Sequence, residues 1–324
     1  MKIVKLLFKL IVLVIVFVFV WYSIGRLLSN HNSINSYVIS EGLEVEDSTS
    51  LSVMAFNIAH GRGNKLGASN WQENSLSDLK LHLSDIAVEI RSNDPDILVL
   101  NEVDFSSVWS HHFNQARYIA EQAGFQYVVE QRNIDVTIPF VKYQFGNAIL
   151  SKYPLEDASL VQHHPLSILE NLFVGNHDAA YAVASTPFGN IAVVAIHLDY
   201  RNEDIRLAAV KQLINISKES GLPLIALGDF NSTPTGYPES RSTQASENAI
   251  SYLLSETEFN TDVKIGNQSK SYTFPTESPD RVIDWVFANR LLVVTNVRVI
   301  QSDLSDHLPV AAQIDFSEQT TPLN

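Results

Sequence analysis

Six segments of this chain set acids, amides or imidazoles at the edge of an apolar run. "VMAF" ends in Asn57, "ILVL" in Asn101 and Glu102, "VVAI" in His197, and "LIAL" runs into Asp229 and Asn231. "DRVIDWVF" carries Asp284, and "SDLSDHLPV" sets Asp306 and His307 before another apolar stretch. Any one of these is an ordinary turn former at a strand end. Strand ends on one rim of a sheet converge, however, and together they predict a dense acidic pocket that needs a cation. Oxygen and imidazole donors suit a hard ion such as Mg²⁺, which takes one or two carboxylates and completes its shell with water and phosphate oxygens. Such an ion polarises a phosphoryl group while Asp or His activates water for in-line attack. The residue types therefore point to hydrolysis of a phosphate ester. Asp229 and Asn231 lie two apart, share a face of an extended chain, and can reach one phosphorus centre.

The elements that must position these residues alternate between strand and helix. "LSVMAFNI", "DILVLNEV", "GNAILS", "NIAVVAIHL", "LPLIALGDF", "RVIDWVFA" and "HLPVAAQIDF" read as strands. Leu76, Leu79, Leu83, Ile86, Ala87 and Ile90 fall at helical spacing, predicting an amphipathic helix over 75–92 with Ser75 as its cap. A second helix is predicted over 203–219, with Ile205, Ala208, Ala209, Leu213 and Ile216 on one face. The chain is of the α/β class.

Composition bounds the partners. The 324 residues contain no cysteine, which excludes a thiolate metal site and a cysteine nucleophile. The formal charge is −14, and Lys2, Lys5, Lys9 and Arg26 leave −18 for everything beyond residue 26. A surface this acidic disfavours nucleic acid, which is bound through Lys and Arg. "LIVLVIVFVFVWYSI", Leu10 to Ile24, carries no charge and, extended back to Leu6, approaches the span of a bilayer. Trp21 and Tyr22 stand at its far end, where interfacial aromatics belong. Arg26 occupies the place where a signal peptide would be cut, so residues 1–28 read as a signal anchor. Its three leading lysines put the N-terminus in the cytoplasm and the acidic remainder on the extracytoplasmic side. Residues 29–48 read as a linker, 49–318 as one catalytic domain, and 319–324 as a tail.

The series "FNIAHG", "NEVD", "GNAILSKYPL", "HLD", "GDFNSTP", "DRVIDWVF" and "SDHLPV", in that order, resembles the endonuclease/exonuclease/phosphatase superfamily from Leu51 to Ile314. That superfamily includes DNase I-like nucleases, apurinic endonucleases, neutral sphingomyelinases and inositol polyphosphate 5-phosphatases. The resemblance implies a four-layer α/β/β/α sandwich of two mostly antiparallel sheets, here preceded by one N-terminal transmembrane helix. It implies Mg²⁺ or Mn²⁺ as cofactor, held by Glu102 with Asn57, and with Asp306 reaching the metal as in some members. Asp229 would orient or deprotonate the attacking water, and Asn231 would hold that water or a phosphate oxygen. His307 would support the transition-state charge, with Asp284 orienting its ring, and His197 would protonate the leaving group. Asn147 and His60 would contact the substrate phosphate. The pairs His111–His112 and His163–His164 match no motif and are expected at the surface. "SPDRVIDWV" stands where inositol 5-phosphatases carry a "WCDR"-type segment, which points away from that branch. The anchor and the acidic domain favour a phosphodiesterase acting on a lipid head group or small diester. An extracellular nuclease comes next and a phosphomonoesterase third, and a catalytically silent binding module is disfavoured because every matched position holds a suitable residue.

Overall fold

The computed structural model describes residues 2–28, 34–40, 50–71, 74–138, 141–164, 167–168, 175–263 and 268–316. The expected tail, 319–324, lies outside the described residues. The expected linker lies partly outside them, but at 34–38 it is not a linker: Ile34–Val38 form strand β1.

Two sheets stack face to face. The first has the order β1-β4-β5-β3-β2-β13-β12. Its strands are β1, β2 (Leu51–Asn57), β3 (Ile97–Asp104), β4 (Tyr127–Ile138), β5 (Val141–Ser151), β12 (Leu292–Val299) and β13 (Val310–Phe316). The second has the order β10-β11-β9-β8-β7-β6. It comprises β6 (Leu155–Val161), β7 (Ala179–Thr186), β8 (Gly189–His197), β9 (Leu224–Asp229), β10 (Phe259–Asn260) and β11 (Asp284–Asn289). Among the described residues each sheet holds one parallel pair, β2 with β3 and β8 with β9, among antiparallel neighbours.

Alternation along the strands explains the four layers. In β2, Leu51, Val53 and Ala55 point into the space between the sheets, with Ile225 and Leu227 of β9 opposite. Met54 and Phe56 point outward and are covered by Leu83, Ile86 and Ile90 of helix α2 (Leu76–Asn93) and by Ile119 of α3 (Gln115–Ala123). On the other side Val194 and Ala226 are covered by Val210 and Leu213 of α4 (Glu203–Ser220) and by Ile250 of α5 (Ala249–Ser255). Central strands buried on both faces read as unbroken apolar runs, which is why the strand and helix pattern alone goes no further than the α/β class.

The helix ends follow the cap rules. Ser75 accepts from the Asp78 amide while Asp78 accepts from Ser75, a reciprocal capping box. Asn202 caps α4 by accepting from the amides of Asp204 and Ile205. Both helices start and stop within about a residue of the sequence expectation. Ahead of the sandwich, α1 (Lys2–Leu28) is an apolar helix with a 23-residue stretch, Ile3–Gly25, long enough to cross a membrane.

Candidate active site

Two rows of strand-end residues face one another at one rim of the sandwich. In the second sheet His197 of β8 pairs with Asp229 of β9, and Asp229 pairs with Asp284 of β11. In the first sheet Asn57 of β2 is level with Asn101 of β3. The pairing of β3 with β5 slips between Leu100 and Val103, and Glu102 takes a left-handed φ of 52° there. A bulge of this kind re-aims a side chain; here Asn101 turns inward between the sheets and Glu102 turns to the cleft.

Asn101 is fully buried and joins the two sheets. Its amide donates to Asn147 Oδ1 (2.8 Å) and to the Ile196 carbonyl (2.9 Å), and its Oδ1 accepts from the Asp229 amide (3.0 Å). The approach is close enough to require glycine at 228: a Cβ there would lie 2.1 Å from the Ile196 carbonyl, and the backbone φ is +132°. Asn147 sits one layer behind the cleft. It is buried and donates to Gln131 Oε1 (2.7 Å) and the Asp178 carbonyl (3.3 Å) while accepting from Asn101. Its polar atoms are committed to the protein, so the expected phosphate contact gives way to a bracing position.

Asn57 Nδ2 lies at the hub. It is 3.3 Å from Glu102 Oε1, 3.2 Å from Asp229 Oδ2 and 3.4 Å from His307 Nε2. Its Oδ1 is turned away and accepts from the Ala59 amide (3.0 Å). The amide thus separates two acids rather than offering them a third oxygen. Ser305 Oγ donates to the Asn57 carbonyl (2.7 Å), which ties the Asp306–His307 loop to the end of β2. His307 Nδ1 lies 2.9 Å from Asp284 Oδ2. Thr273 Oγ1 accepts from the amides of Ile283 and Asp284, fixing that carboxylate's strand.

The electrostatics divide the cleft. Burial works to raise Glu102, but His60, His197, Arg62 and His307 outweigh it and hold the carboxyl at about 2. Burial and the neighbouring Asp284 push Asp229 upward against the pull of His307. Burial also raises Asp306, with Glu102 adding to the shift. Burial would lower His307, but the Asp284 carboxylate reverses this and keeps the imidazolium charged. His60 behaves likewise: burial opposes its charge, and Asp104, 3.0 Å from Nδ1, raises it. His197 is driven the other way, to about 3, by burial and by the nearby His177. Its Nε2 is 3.8 Å from Asp229 Oδ2, and its Nδ1 has no partner among the described residues.

These groups line a cavity of about 500 Å³ that includes Glu102, Asp229, Asn231, Asp306, His60, His197 and His307. Asn231 sits at φ 51°, its amide donating to Asp229 Oδ1 (2.8 Å) and its Nδ2 to the Leu198 carbonyl (3.0 Å). The donor set suits a hard divalent cation: carboxylate and imidazole atoms, no thiolate. Asp229, Asp284 and His307 each offer a ligand atom within 4.8 Å of the others, and Glu102 and Asp306 face the cavity beside them.

Several cavity residues stand outside the set expected from the sequence. Arg62 donates to Glu102 Oε2 (3.2 Å) and is fixed by the carbonyls of Ala59 and Ala68. His177 packs its ring 5.1 Å from that of His197, and neither of its nitrogens has a partner among the described residues. Phe274 lies against the His307 ring at 4.6 Å. Arg62 stands in "AHGRG", two residues after His60, which is a usable hint; His177 and Phe274 lie in loops with no such pattern. His111, His112 and His164 are exposed as expected, but His163 is buried. It holds the His177 carbonyl at 2.6 Å from Nδ1 and donates its amide to Asp178, and burial lowers it to about 4.

A family profile described as "Endonuclease/Exonuclease/phosphatase family" matches residues 54–307, from within β2 to His307 itself. The chain belongs to the Endonuclease/Exonuclease/phosphatase family. Solved structures share the fold at low identity. One is an endonuclease/exonuclease/phosphatase from Beutenbergia cavernae DSM 12333, with 21% identity, 83% of this chain and 72% of that chain covered, and a TM-score of 0.60. A family protein from Bacteroides thetaiotaomicron has 16% identity, 84% and 100% coverage and a TM-score of 0.60. The human Nocturnin catalytic domain with bound sulfate has 19% identity, 90% and 99% coverage and a TM-score of 0.56. A comparison with curated proteins found no match.

Proposed function

We propose that this chain is a divalent-metal-dependent phosphodiesterase, anchored by α1, that acts by in-line attack of water on a lipid head group or small phosphodiester. The observation that carries the reading is the meeting of two strand-end rows around Asn57, with Glu102, Asp229 and His307 all within 3.4 Å of its amide nitrogen. Glu102 and Asp306 would hold Mg²⁺ or Mn²⁺, and the ion supplies positive charge to a phosphoryl oxygen when bound. Asp229, raised toward neutrality and steadied by Asn57 and Asn231, takes a proton from the water. The Asn231 amide orients that water or a non-bridging oxygen. His307, kept cationic by Asp284, stabilises the charge that develops on phosphorus. His197 is neutral in the resting cleft, so it serves as a hydrogen-bond donor toward the leaving oxygen, which takes its proton from solvent as Asp229 gives up the one it took from water. Asn57 spaces the acids, and Asn147 braces Asn101.

The test is turnover of bis-p-nitrophenyl phosphate by the full chain with Mg²⁺ or Mn²⁺, with and without EDTA. Asn231→Ala and His307→Ala abolish turnover with little change in melting temperature. Wild-type rates in either variant would remove that residue's role. Plasmid DNA cleaved faster than phospholipid vesicles would favour a nuclease instead.

A further inference from the structure

The strand register fixes which end of the sandwich meets the anchor. Asn101 lies beside Asn147, Asn147 pairs with Gln131 across β5 and β4, and Gln131 pairs with Ile34, the first residue of β1. Ile34 is therefore in the same row as the catalytic rim, while Val38 lies at the far end with Tyr127, Ser151 and Ile97. The chain thus enters the domain at the level of the active site. Only residues 29–33 separate Ile34 from the end of α1, a reach of at most about 20 Å. The last turns of α1 also lie against β4, with Trp21, Tyr22 and Ser23 half-buried and Gly25 buried. The helix is seated on the domain as well as tethered to it.

The surface on that end has a composition of its own. Past the last β3 pairing, Asp104 with Phe145, β4 and β5 continue as a two-stranded arm through Asp135–Ile138 and Val141–Gln144. Four residues at 3.4 Å each carry it about 14 Å beyond the sheet. At its base Tyr143 packs on Trp109 (4.8 Å between centroids), and Trp71 packs edge-on against both, at 6.5 and 5.8 Å. Phe145 and His60 link this cluster to the cavity wall. Trp71 is 61% exposed and Leu66, on the same loop, 51%. Indole and phenol rings with one wet edge are the side chains that settle at the head-group level of a bilayer.

Two independent features, where the anchor enters and where the exposed aromatics gather, thus lie on the catalytic end. We infer that this rim docks on the surface of the bilayer that holds α1, with Trp71 and Leu66 in the interface and the cleft opening toward the head groups. The substrate class that follows is a phospholipid phosphodiester in the same leaflet. A charge of −18 beyond residue 26 makes a zwitterionic surface the favourable one. This inference rests on the reading of α1 as an anchor and of the cleft as a phosphodiesterase site.

Tryptophan quenching in the full chain tests it without needing turnover. The chain is reconstituted as Trp21→Phe, which removes the indole of the helix, in zwitterionic bilayers with or without lipid brominated near the head-group end of its acyl chains. Trp285 is fully buried and Trp109 half-buried, and both stay in every sample, so the readout is the difference that Trp71 makes. Loss of emission in the brominated bilayer, abolished by adding Trp71→Phe, is the expected result. Equal emission in both bilayers overturns the docking. In parallel, the pair Leu66→Ser and Trp71→Ser lowers hydrolysis of bilayer phosphatidylcholine by about tenfold, the loss of roughly 1.4 kcal/mol of interfacial binding. It leaves turnover of soluble bis-p-nitrophenyl phosphate unchanged; a proportional fall in both would also overturn the inference. If the unsubstituted chain hydrolyses neither substrate, the phosphodiesterase reading fails while the quenching result still stands or falls alone.

Discussion

Replacing Asn101 by alanine probes the join between the sheets directly. The side chain is inaccessible to solvent and makes three hydrogen bonds, to Asn147, to the Ile196 carbonyl and from the Asp229 amide. Alanine leaves three buried partners unpaired, and each stranded group costs about 1–3 kcal/mol. The lower figure for each already gives a loss of about 3 kcal/mol, before the small cavity is counted. At roughly 2 °C per kcal/mol for a domain of this size, the melting temperature falls by about 6 °C. The same change frees the backbone of Asp229, so turnover of bis-p-nitrophenyl phosphate should fall well beyond what the residual folded fraction explains. Scanning calorimetry and steady-state rates at a temperature where the variant is fully folded separate the two effects. Asn101 does not both lock the sheets and position Asp229 if the variant melts within about 1 °C of the unsubstituted chain, or melts lower but keeps full activity.

Further expectations concern stability and charge. Asp229 is an acid raised by folding, so the native state loses stability as pH climbs from the ordinary carboxylate range toward its folded value. Asp229→Asn in EDTA should therefore melt higher than the unsubstituted chain at pH 8, with the gap closing by about pH 4; a gap that widens on acidification has the wrong sign. Glu102 has the opposite sense: its contribution is present above its unfolded value and is lost as pH falls toward 2, so Glu102→Gln should flatten the acid limb of the stability profile. Glu203 neutralises the fully buried Arg206 and also accepts from Ser232, Asn248 and the Ala249 amide. Glu203→Gln strands that charge and should cost about 3–5 kcal/mol in a urea titration. Gly228→Ala drives a methyl into the Ile196 carbonyl at 2.1 Å and should cost more than about 1 kcal/mol, read the same way.

The parts legible in the sequence were those governed by local rules. Ser75 and Asn202 announce their helices because caps are chemical signatures within one turn. Asn57, Glu102, Asp229, Asp284 and His307 were visible because polar residues break apolar runs at strand ends. What stayed hidden depends on partners distant in sequence. β1 is five residues whose pairing with β4 lies 89 to 97 positions away, and nothing in "INSYV" advertises it. The left-handed turn at Glu102 exists because β3 slips against β5, so the sequence could name that acid but not aim it. The motif around Asn147 points to a phosphate contact, whereas its depth behind Asn101 follows from the register of three strands. His177 and Phe274 reach the cleft from loops, where neither period nor cap constrains the chain.

In the proposed reaction the residues gathered around Asn57 deliver water to phosphorus with the help of a divalent cation. Hydrolysis of a phosphodiester in ¹⁸O-water, followed by ³¹P NMR of the phosphomonoester product, tests it most directly. The expected result is ¹⁸O on phosphorus with Mg²⁺ or Mn²⁺ present, none with EDTA, and none with His307→Ala. Turnover that resists EDTA, or ¹⁸O found in the alcohol instead of on the phosphorus, would contradict it.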